Sequence, residues 1–187
     1  LQTAGELEAA ERAWSTRSVL GIDTEFVRER TYRADLGLIQ VSDGVTAWLW
    51  DPLRFESSEP VQRLLSNSGI FKVLHAGSED LEVLLHALDV MPEPFCDTQI
   101  ACAMLGQSLQ MGYHKTVEWL LDLAIDKGET RSNWCHRPLR PAQIRYAALD
   151  VCLLPSMQRI LMERLVADFA NRPGPVIVAG DMNSTDQ

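Results

Sequence analysis

Ser18 to Asp23, read Ser-Val-Leu-Gly-Ile-Asp, is a short apolar run that ends in two carboxylates spaced two apart, Asp23-Thr24-Glu25. A run of this length and character fills a central strand. Period-2 alternation sends side chains two apart to the same side of a strand. Crowded or buried negative charges must be neutralised, so the fold has to provide for Asp23 and Glu25 at the end of that strand. Spacing alone is weak evidence, since 26 acids among 187 residues supply about 3.6 such pairs by chance.

The rest of the chain sets the context for that strand. Residues 1–17 read as a polar helix capped by Thr3 and Glu6. Gly37 to Ser42 and Val45 to Trp50 are β-rich runs joined by Asp43-Gly44, a hairpin signal, so three antiparallel strands are expected first. Val61 to Leu65 reads as a short helix, Phe71 to Leu74 as a buried strand, and Glu79 to Leu88 as a helix, with a proline-rich loop at Met91 to Pro94. Asp97 to Leu105 and Lys115 to Leu123 have helical spacing, residues 126–140 are polar and aperiodic, and a final helix begins at Pro141. That helix is expected to reach about Val166, broken or kinked at Pro155. Strands first and helices after, with a βα unit between, imply an α/β fold with a mixed sheet flanked by helices. Asn171-Arg172-Pro173-Gly174-Pro175 reads as a linker, so one domain is expected over 1–170 and a tail over 171–187.

Composition narrows the function. Lys and Arg total 17 against 26 Asp and Glu, a formal charge of −9, so no broad cationic surface for gripping a duplex through its phosphates is expected. Cys96, Cys102, Cys135 and Cys152 form no CxxC pair and no zinc-like Cys/His spacing, which is the pattern of cytoplasmic thiols. Cys135 beside His136 is a poor nucleophile candidate because adjacent side chains rarely face one another. No apolar run approaches the roughly 20 residues a membrane helix needs, and no signal segment is visible. A start at Leu1 instead of Met suggests a trimmed fragment.

Two further acidic features stand out. Tyr146 and Asp150, in Tyr-Ala-Ala-Leu-Asp, are i,i+4 on a helix and share a face. Asp80 lies where a buried strand passes through His75-Ala76-Gly77-Ser78-Glu79 into a helix, with Leu81 and Leu84 turned to the core. Each has an ordinary reading: a half-buried Tyr with a solvated Asp in one case, helix-dipole complementation in the other.

Their joint order decides between readings: Asp-x-Glu on a strand, Asp at a strand-to-helix junction, Tyr-x-x-x-Asp on a late helix. In this order the chain resembles the DEDD family of 3′-5′ exonucleases in its tyrosine-bearing branch. The local words resemble the ribonuclease D group: Asp23-Thr24-Glu25-Phe26-Val27-Arg28, Leu36-Gly37-Leu38-Ile39-Gln40, His75 to Glu82, Asp97-Thr98-Gln99, and Arg137-Pro138-Leu139 leading to Tyr146 and Asp150-Val151. The resemblance covers roughly residues 15–168.

The resemblance implies a ribonuclease H-like fold and a metal-dependent 3′-5′ exoribonuclease that releases nucleoside 5′-monophosphates from RNA with a free 3′ end, such as a tRNA precursor. It further implies two divalent cations, Mg²⁺ or Mn²⁺, with Asp23 shared between them. Glu25 and Asp150 complete the site of the attacking water, Asp80 supports the second cation, and Tyr146 orients the water. Thr24, Phe26 and His75, within or beside the acidic words, are candidate substrate-lining residues. Phe26 and His75 read equally well as a core ring and a satisfied strand-end histidine. Arg28, Arg30 and Arg33 are either a solvated loop or a guide for the 3′ strand. No membrane and no protein partner is implied.

Three departures qualify the match. The family's helical RNA-binding modules of HRDC type find no room in this chain. Asn133 stands where the family often has Asp, outside the carboxylate set. The tail Pro175 to Thr185 resembles the Gly-Asp-x-Asn signature of a different phosphodiesterase family. A DNA 3′-5′ exonuclease of proofreading type shares the carboxylates, and a catalytically silent nucleic-acid-binding module is the reading from another class.

Overall fold

The computed structural model describes residues 1–28, 33–125, 128–129 and 132–171. The elements, in chain order, are α1 (Ala4–Trp14), β1 (Val19–Val27), β2 (Asp35–Ser42), β3 (Ala47–Trp50), α2 (Glu59–Ser66), β4 (Phe71–Leu74), α3 (Ser78–Leu88), β5 (Phe95–Asp97), α4 (Thr98–Met104), α5 (Tyr113–Leu121), α6 (Pro141–Cys152) and α7 (Leu154–Asn171). The five strands form one mixed sheet in the order β3-β2-β1-β4-β5. β1 and β2, and β2 and β3, run antiparallel; β4 is parallel to both β1 and β5.

The two faces of β1 have different neighbours, and this division builds the site. Leu20 and Ile22 point into the largest core cluster with residues of α1, α2 and α3, and Phe26 packs against its edge. Val19 packs on the other side with Val151 and Leu154, and Val27 with Trp134, Ala147 and Tyr146, so that face lies under α6 and the start of α7. A second apolar cluster ties α4 and α5 to α7 through Cys102, Val117, Met157 and Leu161.

Several sequence expectations need correction. β1 does not end at Asp23 but continues to Val27, because Thr24 is buried and Phe26 packs on the core while Asp23 and Glu25 take the opposite face. The β2–β3 connection is not the two-residue Asp43-Gly44 turn but spans 43–46: the Asp43 carboxylate accepts from the amides of Val45 and Thr46 at 3.0 and 2.8 Å, and Val45 is exposed. The final helix is two helices that meet at Leu153, with Pro155 in the first turn of the second, where its missing N–H costs nothing. α7 reaches Asn171, so the first residue of the expected 171–187 tail is helical; the rest of that tail and Arg30 lie outside the described residues.

β5 was not expected. It is three residues long and exists through its parallel pairing with β4. Buried Lys72 fastens the segment before it, donating from Nζ to the carbonyls of Asn67 and Ile70 at 2.8 and 2.9 Å and also to that of Glu93. Among the described residues no helix is long and apolar enough to cross a membrane.

Candidate active site

Gly21 lets the helices approach the carboxylate strand. A Cβ there would lie 2.8 Å from the Val151 carbonyl oxygen and 2.9 Å from the Leu154 Cβ, so the α6–α7 junction rests directly on β1. On α6, Ala147 and Val151 are fully buried against the sheet. Tyr146 and Asp150, each one position earlier, are thereby carried to the half of β1 that bears Asp23 and Glu25.

The result is a convergence of three carboxylates: oxygens of Asp23, Glu25 and Asp150 all lie within 4.8 Å of one another. Burial, reinforced by mutual repulsion, raises Asp23 well above the ordinary aspartate range and Glu25 to about 9. Burial also raises Asp150, against the pull of a hydrogen bond from Tyr146 and of nearby His114.

Asp80 stands outside that trio but beside it. β4 pairs with β1 only as far as Gly21↔Val73, so among the described residues β1 has no strand neighbour on this side beyond that point. Asp80, in the first turn of α3, takes the place of one: its Oδ1 accepts from the Thr24 amide at 3.1 Å and from the Thr24 hydroxyl at 2.5 Å. Its negative charge helps raise both Asp23 and Glu25. The turn that launches α3 is held by Asp97 at the end of β5, whose carboxylate accepts from the amides of Ala76 and Gly77 at 3.0 and 2.9 Å and caps α4 through Gln99 at 2.8 Å. Ala76 has φ of 55°, a left-handed conformation that this clamp sustains.

Tyr146 packs on Trp134 with ring centroids 6.1 Å apart and interacts with Asp150 through its hydroxyl. Burial first, then the Asp150 charge, keeps its phenol above the ordinary range, so it stays protonated. Trp134 is in turn fixed by Arg137, whose five N–H groups are all used: two on Asp51 at 2.6 and 2.7 Å, and one each on the carbonyls of Trp134, His136 and Gly37 at 2.6, 2.9 and 2.7 Å.

The three candidate lining residues have varied surroundings. Thr24 is buried and committed to Asp80. Phe26 packs against the core on the opposite face from Glu25, with the Arg28 guanidinium 6.0 Å from its ring centroid. His75 has both ring nitrogens engaged, with Thr98 Oγ1 at 2.8 Å and the Met111 carbonyl at 3.0 Å, and burial lowers its pKa. Arg28 pairs with Glu82 at 3.4 Å. The Asn133 carboxamide accepts from the amides of Cys135 and His136 at 3.0 and 3.1 Å, shaping the loop that carries Trp134.

Sequence reasoning missed Tyr113 and His114 on α5. The Tyr113 hydroxyl donates to the Leu149 carbonyl at 2.9 Å, and burial with the charges of Asp150 and Asp23 raises its pKa. No local pattern marks either residue; their place depends on how α5 docks.

An all-oxygen set of half-buried, mutually repelling carboxylates fits hard divalent cations, which would relieve both the repulsion and the desolvation. Comparison with known proteins agrees with this chemistry. A 3′-5′ exonuclease family model matches residues 1–166. Ribonuclease D of Pseudomonas paraeruginosa is 47% identical over 154 residues, 82% of this chain and 41% of that protein. The crystal structure of Escherichia coli RNase D, an exoribonuclease involved in structured RNA processing, has a TM-score of 0.86 at 40% identity, covering 90% of this chain and 45% of that one. Brucella melitensis NrnC with bound Mg²⁺ has a TM-score of 0.73 at 31% identity, covering 83% of this chain and 77% of that one. The chain thus spans about two fifths of the length of the curated relatives it matches.

Proposed function

Because the chain belongs to the 3′-5′ exonuclease family and is similar to its ribonuclease D members, we propose that residues 1–170 form a metal-dependent exoribonuclease domain. It removes nucleoside 5′-monophosphates from the 3′ ends of structured RNA such as tRNA precursors. The observation that carries this reading is the meeting of Asp23, Glu25 and Asp150 oxygens within 4.8 Å, beside a protonated Tyr146.

Asp23, Glu25 and Asp150 would hold the cations, with Asp80 supporting the second, and either Mg²⁺ or Mn²⁺ suits such ligands. Held there, divalent cations would supply activation of water and stabilisation of the charge at phosphorus and on the leaving oxygen. The protein's own contribution is placement. The Thr24–Asp80 and Tyr146–Asp150 hydrogen bonds limit the freedom of two carboxylates, and the Tyr146 hydroxyl orients the attacking water, which a phenol does more readily than it serves as a free base at neutral pH. With a net charge of −9, RNA grip falls to the site itself and to local arginines such as Arg28. All four cysteines are free, which fits a reducing compartment such as the cytoplasm.

An RNA labelled at its 3′ end tests the reading. Labelled nucleoside 5′-monophosphate is the expected first product, lost with EDTA and in Asp23→Ala; a labelled oligonucleotide first, or indifference to EDTA, overturns it. Matched RNA and DNA oligonucleotides decide between this activity and a DNA exonuclease of proofreading type.

A further inference from the structure

Gln40 lies at the centre of β2, fully buried, and neither its Nε2 nor its Oε1 has a hydrogen-bond partner. Leaving an amide buried and unpaired costs stability, so an apolar side chain of similar size would serve the fold better. Its place in the sheet suggests what it serves instead. Gln40 is directly opposite Asp23 in the β1–β2 ladder. Opposed side chains in an antiparallel pair share a face, with Cβ atoms about 4.5–5.5 Å apart. The face is the one under α6, since Leu38, two residues before Gln40, packs with Ala147 and Trp134.

The other groups around Gln40 leave little choice of partner. Leu49 is its neighbour on β3, and α6 presents the apolar Ala147 and Val151 to the sheet. Ser42, next on the same face of β2, already donates its hydroxyl to the Thr46 carbonyl at 2.8 Å and accepts from Gly44. The carboxylate directly opposite Gln40 across the ladder, with acceptor capacity to spare, is that of Asp23.

We propose that Gln40 is a positioning residue for Asp23: its Nε2–H holds one carboxylate oxygen, directly or through one buried water, and fixes the direction in which Asp23 offers its remaining lone pairs. The inference rests on the exonuclease reading. An amide suits this task because it donates without a positive charge; Lys or Arg at position 40 would compete with the cations for Asp23. Outer partners of metal-holding side chains act in this way in other proteins, and their loss costs about 10–100-fold in metal affinity or activity.

The test is Gln40→Met, which keeps the length and removes the amide. The expected result combines an unchanged or raised metal-free melting temperature with roughly 10–100-fold weaker Mn²⁺ binding and a similar fall in kcat, at unchanged KM for RNA. A purely structural amide would move these the other way, lowering stability and sparing kcat. Wild-type kcat and Mn²⁺ affinity in a folded Gln40→Met protein overturn the inference alone. A wild-type protein that neither binds Mn²⁺ nor cleaves RNA overturns the exonuclease reading and this inference together. If Gln40→Met fails to fold, the wild-type side-chain amide resonances of Gln40 decide: a shift on adding Mg²⁺ supports the inference, and unmoved resonances overturn it.

Discussion

Both donors of Thr24, its backbone nitrogen and its hydroxyl, meet the same oxygen of Asp80, at 3.1 and 2.5 Å. The amide is free to do so because β4 stops short, and the hydroxyl adds a second tether. Thr24→Val keeps the size and the backbone bond but deletes the hydroxyl. We expect a stability loss of about 1 kcal/mol in chemical denaturation, and a fall in single-turnover rate of roughly tenfold as Asp80 gains freedom. Thr24→Ser should behave as wild type. A fully active Thr24→Val protein would show that the fixed Asp80 geometry is dispensable.

Gly21→Ala addresses the approach of the helices. The added methyl would sit 2.8 Å from backbone and 2.9 Å from the Leu154 side chain, so α6 must lift or β1 must shift. Overpacking of this kind costs about 1–3 kcal/mol. Because Asp150 directly precedes Val151, its carboxylate should move out of reach of Asp23 and Glu25. The expected signature is a modest drop in melting temperature with a loss of most Mn²⁺-induced stabilisation, followed by thermal melts with and without the metal. Retention of the full metal effect would place the Asp150 site under other control.

Much of this arrangement is legible in the sequence. Asp23 with Glu25, and Tyr146 with Asp150, follow from the 2.0 and 3.6 periods of strand and helix. What escaped were features set by partners distant in sequence. Asp23 looked like the end of a strand because charge inside a strand is unusual, yet β1 runs on to Val27. β5 has three residues and no pattern of its own. Gln40 is fully buried on the face that α6 covers, and nothing in its neighbours Ile39 and Val41 announces that. The role of Asp97 depends on the turn at Ala76, which nothing near Asp97 in sequence announces.

Arg137→Lys tests the support beneath Tyr146. A lysine has three donors and no planar fork, so it cannot hold the Asp51 carboxylate while also bonding the carbonyls of Trp134, His136 and Gly37. The pair is largely buried, with side-chain exposures of 18% for Arg137 and 9% for Asp51. A loss of about 2–3 kcal/mol is expected in urea denaturation. As Trp134 loosens, kcat should fall while KM for RNA stays the same; a change confined to KM would connect this clamp with substrate binding.

Tyr146→Phe removes one oxygen and leaves the ring packed at a tilt against Trp134, so the fold should be untouched. A group that orients or exchanges a proton with the reacting water is worth on the order of 10²–10⁴ in rate. Single-turnover cleavage of a short RNA measures it, and an unchanged rate would remove the hydroxyl from the mechanism.

The acidic cluster also sets the pH dependence of stability, and the sign follows from the direction of the shifts. Glu25 moves from an ordinary 4.5 to about 9, and Asp23, Asp80 and Asp150 are raised too, all chiefly by burial. Without metal, the folded protein therefore holds protons that the unfolded chain has released. Stability is fully present below the ordinary carboxylate range and falls as pH rises through the folded values. His75, lowered from 6.5 by burial, acts in the opposite sense below about that pH, and the Leu1 amino group and Lys72, also lowered by burial, do so at higher pH, so above neutrality the decline rests on Glu25 and Asp23. In EDTA the melting temperature should drop between pH 7 and 9, and Glu25→Gln should flatten the slope. Cations replace the bound protons, so the gain from Mg²⁺ or Mn²⁺ should widen over the same range as fewer protons remain to be displaced. A metal-free melting temperature that rises with pH there would mean the carboxylates are already ionised in the folded state, and the repulsion that cations are expected to relieve would not be limiting.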